Sequence, residues 1–150
     1  MVNDTASSDP IRPDAVLLDL TGRTKAEVLR ALAARAAALA GREPLDLARA
    51  LTERETLGST GVGSGVALPH ASLDELVRPV VLFARLAGPI DWEAIDDRPV
   101  DLVLAVFSPA RGAAPAAIAL SRFARLLRNE ATRARLRSGG EADIVADLTA

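Results

Sequence analysis

Arg54 to His70, R-E-T-L-G-S-T-G-V-G-S-G-V-A-L-P-H, places four glycines and the protein's one histidine within seventeen residues. His70 carries the side chain best suited to act as a nucleophile or base at neutral pH. Arg54 presents a planar fork of donors that matches phosphate oxygens. Between them, Gly58, Gly61, Gly63 and Gly65 leave backbone N–H groups uncovered, and Ser59, Thr60 and Ser64 add hydroxyl donors. The composition predicts a loop that receives phosphate, with Ser59, Thr60, Gly58 and Gly61 around the anion, Arg54 supplying positive charge and His70 reacting. Each part also has a plainer reading. A Gly/Ser run commonly only connects elements, a lone histidine is more often packed or at the surface, and an arginine ending a helix commonly serves the helix dipole.

Other chemistries fit these residues poorly. No lysine follows the glycines as a P-loop requires, and Gly61-Val62-Gly63-Ser64-Gly65 lacks the spacing of a dinucleotide fingerprint, so no nucleotide cofactor is expected. A hydrolase built on Ser59 or Ser64 with His70 and Asp74 would need a nucleophile elbow of the G-x-S-x-G kind, which is missing. The chain has no cysteine and one histidine, which argues against a disulfide, a thiolate switch or a zinc site. Its net charge of −2, from 18 basic and 20 acidic residues, argues against nucleic acid or an anionic membrane as a default partner. No apolar run reaches the roughly 18 residues of a spanning helix and the N-terminus lacks an apolar signal core, so a cytoplasmic protein is expected.

The elements that must position these residues follow from periodicity. At 150 residues the chain is long enough for one domain with a real core, and 49% hydrophobic with only 3% aromatic residues means a core of Leu, Val and Ala. Residues 1–13, polar and with two prolines, read as a mobile arm, and residues 14–150 as the domain. Val16 to Leu20 reads as an edge strand. Thr24-x-x-Glu27 has capping-box form, opening a helix with Val28, Leu29, Leu32, Ala36 and Leu39 facing inward until Gly41. Pro44 opens a second helix, with Leu47, Ala48 and Leu51 inside, that ends near Arg54 to Leu57 and so brings Arg54 to the lip of the glycine loop.

Val66 to His70 is extended, with Val66, Leu68 and His70 of one parity, and Pro69 puts His70 at a sheet margin. Ala71 to Arg78 reads as a polar connection. Val80 to Leu86 and Val100 to Phe107 are the clearest strands, the second apolar enough to be covered on both faces. Gly88 to Trp92 reads as a turn, with Trp92 packing rather than binding. Pro115 starts a helix with Ala116, Ala119, Leu120, Phe123, Leu126 and Leu127 inward and Arg122, Arg125 and Arg128 outward, either a solvated face or a docking patch for an acidic surface. Glu130 to Arg137 and a stripe of Ile144, Val145 and Leu148 complete the helices. The order predicts an α/β fold, a three-layer α/β/α sandwich with a mixed sheet.

The Arg54 to His70 run resembles the active-site signature of the enzyme IIA domains of the fructose/mannitol class of the bacterial phosphoenolpyruvate-dependent phosphotransferase system. The resemblance extends through P-I-D-W-E-A-I-D-D-R-P-V-D-L-V-L-A-V-F-S-P (Pro89 to Pro109) and L-S-R-F-A-R-L-L-R (Leu120 to Arg128), covering about residues 14 to 149. Within the class, Glu93 to Leu102 looks most like the nitrogen-related, regulatory branch. The resemblance implies phosphoryl acceptance at His70, on the imidazole nitrogen remote from the backbone, and phosphate stabilisation at Arg54. It also implies a histidine phosphocarrier protein as donor, a regulated partner protein or an enzyme IIB as the next partner, and no cofactor or metal. The phosphate-binding roles of Ser59 and Thr60 come from the residues alone. One departure stands out: class members commonly carry a second active-site histidine in the helix before the Leu-Ser pair, where this chain holds Ile118. Arg54 and loop donors then suffice, or transfer is slowed, or the domain acts by binding alone.

Overall fold

The computed structural model describes residues 12–150. The expected arm therefore lies almost wholly outside the described residues. Along the chain run β1 (Ala15–Leu20), α1 (Lys25–Ala40), α2 (Pro44–Leu57), β2 (Gly61–Gly63), β3 (Val66–Ala67), β4 (His70–Leu73), β5 (Val80–Ile90), β6 (Val100–Pro109), α3 (Ala114–Leu126), α4 (Glu130–Ser138) and α5 (Glu141–Thr149).

The start and stop residues act as their chemistry requires. Thr24 Oγ1 accepts the Glu27 N–H at 3.2 Å, while Glu27 Oε1 reaches one residue further back and takes the Arg23 N–H at 2.9 Å. Gly41 ends α1 in a left-handed conformation, φ 67°, with its N–H on Ala37 O. Val28, Leu29, Leu32, Ala33, Ala36 and Ala37 are buried, and Ala40 extends that line. Leu39, expected inside, falls off the line and is exposed. Pro44 opens α2, and Leu47 and Leu51 are fully buried.

The sheet runs β1-β5-β6-β3-β2, with β4 also beside β6. β5 is antiparallel to β6 and β2 to β3, while β1 runs parallel to β5, and β3 and β4 run parallel to β6, so the sheet is mixed as expected. Adjacent residues in the central strands serve opposite cores. Val80, Leu82, Ala84, Val103, Ala105 and Phe107 meet α1 and α2, and Val81, Phe83, Leu102, Leu104 and Val106 meet α3, α4 and α5. Three layers result, the expected architecture.

Two expected connections turn out to be strand. His70 to Leu73 forms β4, although it is short and half polar, because β6 offers it a paired edge. β5 continues past Leu86 to Ile90 through a register shift, so the chain reverses after Gly88-Pro89-Ile90 rather than within it. Trp92, just beyond, is fully buried against α1 and α2.

Candidate functional site

The last turn of α2 carries two adjacent residues whose side chains part. Arg54 reaches outward, with Nη1 donating to Gly58 O at 3.0 Å. Glu55 turns inward and is buried. Its Oε1 accepts the Thr60 hydroxyl at 2.6 Å, and its Oε2 accepts the Thr60 N–H at 2.8 Å and the Lys25 ammonium at 3.0 Å. Trp92 Nε1 donates to Thr60 Oγ1 at 3.2 Å, and the Lys25 ammonium stands 5.8 Å from the Trp92 ring. Thr60, only 4% exposed, thus has its hydroxyl both donating and accepting inside the protein. Ser59 is likewise engaged: its hydroxyl donates to Trp92 O at 2.8 Å and accepts the Gly61 N–H at 3.1 Å.

These bonds give the loop an internal role. The Ser59 and Thr60 hydroxyls and the Thr60 and Gly61 N–H groups are bonded inside the protein, and Gly58 offers its carbonyl to Arg54, so these donors face the protein rather than an open cradle. The glycines serve a β-hairpin instead. β2 and β3 pair antiparallel around Ser64 and Gly65, both with positive φ (57° and 81°), as a two-residue turn on right-twisted strands prefers. Gly61 is required by space, since a Cβ there would lie 2.7 Å from Ala94 Cβ. The turn is held from both sides. Arg137 on α4 donates to Ser64 O and pairs with Asp101, each at 2.9 Å, while Asp96 Oδ2 accepts the Ser64 N–H at 2.9 Å. The Ser64 N–H, and after it the Arg98 N–H, hold the Asp96 carboxyl below the usual carboxylate range.

After the hairpin the chain meets β6 in one unbroken register. Val66 lies opposite Leu102 and His70 opposite Val106, the same offset of 36 residues. Only at Leu68 and Pro69 does the ladder lapse. Leu68 donates its N–H to Thr60 O at 3.0 Å, and Pro69 has no N–H to give. His70 therefore begins β4 at the sheet margin with the parity of Val66 and Leu68, as the spacing predicts, on the face covered by α3 to α5. Arg54 belongs to α2 on the other face, so the two meet around the strand's edge.

The imidazole is half-buried and held at both nitrogens. Nδ1 lies 2.8 Å from Leu68 O, and Arg54 Nε lies 3.4 Å from Nε2. A carbonyl oxygen only accepts and a guanidinium only donates. Both partners thus call for the same tautomer, with the proton on Nδ1 and the lone pair on Nε2. Neither Ser59 nor Ser64 bonds to His70, and Asp74 does not hold its Nδ1, so the hydrolase arrangement is not assembled. Among the described residues, no three His, Asp or Glu side chains converge as metal ligands, and no helix is long and apolar enough to cross a membrane. Ile118 lies on the outer side of α3, 63% exposed.

Sequence reasoning missed Glu55, Lys25 and the bond from Trp92. One signal was available for Glu55: a carboxylate in the last turn of a helix faces the negative end of the helix dipole, an unfavourable place unless other donors surround it.

The fold and this site define an α/β/α domain with one histidine at a sheet edge, its Nε2 facing an arginine. The chain belongs to the enzyme IIA family of the phosphotransferase system, since the family model described as "Phosphoenolpyruvate-dependent sugar phosphotransferase system, EIIA 2" matches residues 9–149. Over 143 residues it is 41% identical to a nitrogen regulatory protein of Bradyrhizobium diazoefficiens, covering 95% of this chain and 94% of that one. The crystal structure of the nitrogen regulatory protein IIA-Ntr from Neisseria meningitidis superposes with a TM-score of 0.86 at 24% identity, covering 97% of this chain and 100% of that one. The mannitol enzyme IIA of Escherichia coli, in its complex with phosphorylated enzyme IIB, gives a TM-score of 0.75 at 20% identity, covering 89% and 92%. The fold is therefore the one these proteins share.

Proposed function

We propose that the protein is a phosphoryl carrier with a regulatory output, accepting a phosphoryl group on His70 from a phosphohistidine of a histidine phosphocarrier protein. The observation that carries this reading is the seating of the ring, with Nδ1 2.8 Å from Leu68 O and Nε2 3.4 Å from Arg54 Nε, which favours a free lone pair on Nε2. In the transfer, the Nε2 lone pair attacks phosphorus and the donor's P–N bond breaks, its electron pair returning to the donor imidazole. Arg54 swings from Nε2 to the equatorial oxygens, where its charge offsets theirs. His70 Nδ1 keeps its proton throughout, and the Leu68 carbonyl steadies the positive charge that grows on the ring. Ser59, Thr60, Gly58 and Gly61 shape the surroundings and are not phosphate ligands in this reading.

A phosphohistidine would add about −1.5 to −2 charges at the sheet edge, enough to change which partner surface fits there. The likeness to a nitrogen regulatory protein over nearly the whole chain supports a regulated partner protein as the output. Such a relay works in the cytoplasm, where its donors are. A second reading, delivery to an enzyme IIB in sugar uptake, draws on the family's description and on the mannitol complex.

The test is to mix the protein with phosphoenolpyruvate, enzyme I and a histidine phosphocarrier and look for an acid-labile mass gain of one phosphoryl group on His70. A gain that His70→Ala abolishes is the expected result. No gain, with donors active on a control domain, overturns the reading and leaves a phosphate-blind binding module. Adding an enzyme IIB then separates the two outputs, since onward transfer is expected only of the sugar-uptake component.

A further inference from the structure

Glu55 occupies a costly position. Its side chain is 6% exposed and paired with that of Lys25, which is 17% exposed, and the Lys25 ammonium also stands 3.5 Å from the Glu93 carboxylate. A buried ion pair is a poor source of stability beside apolar packing of the same volume, so its worth must be sought in geometry.

That geometry leads to both nitrogens of His70. Along one path, Glu55 accepts the Thr60 N–H and hydroxyl, Thr60 O accepts the Leu68 N–H at 3.0 Å, and Leu68 O faces His70 Nδ1 at 2.8 Å. Along the other, Glu55 ties the end of α2 to Thr60, and this fixes the intervening Gly58, whose carbonyl is one of the two hold points of Arg54. Arg54 in turn faces Nε2. Trp92 closes the cluster by donating to Thr60 Oγ1. We infer that Glu55, braced by Lys25 and Thr60, is a positioning residue that sets which nitrogen of His70 is free and where the Arg54 guanidinium stands. The inference rests on reading His70 as the phosphoryl acceptor, and it names the group that prepares it.

A histidine beside a loosened loop samples both tautomers, and only the form with a free Nε2 can attack in line past Arg54. Because the protein has one histidine, a proton–nitrogen correlation spectrum of isotope-labelled protein shows a single set of ring signals. In the native protein with a neutral ring, the Nδ1–H form is expected to predominate. Glu55→Gln and Thr60→Val, measured well below their melting midpoints, are expected to lower the ratio of Nδ1–H to Nε2–H by about threefold or more. Thr60→Ser, which keeps the hydroxyl, is expected to restore it. In parallel, phosphoryl transfer is expected to slow by about tenfold with the half-saturating donor concentration unchanged, the mark of a lost transition-state geometry rather than lost docking.

A purely structural role would lower the melting midpoint and leave the tautomer ratio untouched, and that result overturns the inference. So would a native ring already in the Nε2–H form, or a Thr60→Ser variant no better than Thr60→Val. Should Glu55→Gln fail to fold, the Thr60 pair, differing by one hydroxyl, decides the matter. Should the native protein accept no phosphoryl group, the phosphoryl reading falls while the tautomer ratio still judges Glu55.

Discussion

Arg54 spans 3.0 Å to Gly58 O and 3.4 Å to His70 Nε2, a reach that its planar fork allows and a point charge does not. Arg54→Ala is expected to slow phosphoryl transfer at least about tenfold, equivalent to about 1.4 kcal/mol of transition-state stabilisation. Arg54→Lys should recover part of the rate, since an ammonium supplies charge without holding both acceptors; initial rates at saturating donor give the comparison. Ile118 bears on the same step. Its side chain is 63% exposed, so a histidine there meets no packed interior, and Ile118→His is expected to change stability by no more than about 0.5 kcal/mol. A faster transfer in that variant would show that the missing second histidine is a handicap, and an equal rate that Arg54 suffices. The places of Arg54, at the end of α2, and of His70, at the sheet margin, were legible from the helix and strand patterns. Glu55 was not, because its partners Lys25, Thr60 and Trp92 come from three separate parts of the chain and only the fold gathers them.

The β2–β3 hairpin is the element most exposed to small changes, because β2 passes against Ala94 with no room for a side chain. A Cβ at position 61 would sit 2.7 Å from Ala94 Cβ and 2.9 Å from Ala94 Cα. Gly61→Ala is therefore expected to cost about 1–3 kcal/mol, seen as a lower urea midpoint at unchanged slope. Ala94→Gly in the same chain should recover only part of it, since the backbone contact stays. The clamp on the hairpin's turn is also sensitive to pH. The Ser64 N–H, with the Arg98 N–H, holds Asp96 below the usual carboxylate range, so the folded state favours its charged form. Its contribution is present above the unfolded carboxylate value and is lost as pH falls through the lower folded one. Protection of the Ser64 amide from exchange is expected to drop over that acid interval in the native protein, and to be low at every pH in Asp96→Ala. The helices were readable from their caps and period. The hairpin was not, because four glycines in eight residues carry no alternation of side chains to read, and β4 was hidden because His-Ala-Ser-Leu has too few apolar residues to announce a strand.

At the scale of the molecule, the two apolar clusters share the same strands. Val80 and Leu82 pack under α1 and α2, while Val81 and Phe83 between them pack under α3 to α5. The near-continuous apolar run of β6 made the three layers legible, since a strand with no polar face has no face to give to water. The same sharing means that neither helical layer can leave without stripping alternate residues of the central strands, and Arg137 adds a tie from α4 to the hairpin on the far margin. The domain is thus expected to unfold in one cooperative transition. Trp92, the only tryptophan, reports from the α1–α2 core, while Phe123 is fully buried in the opposite one. Phe123→Leu, which leaves a small void, is expected to cost about 1–2 kcal/mol. If the layers are coupled through the sheet, Trp92 fluorescence and far-ultraviolet circular dichroism shift to the same lower urea midpoint, though the changed residue lies across the sheet from the probe. A fluorescence midpoint that stays while the dichroism splits in two would mean that the layers melt independently, and that a change at the His70 edge has no path through the sheet to α3, α4 and α5.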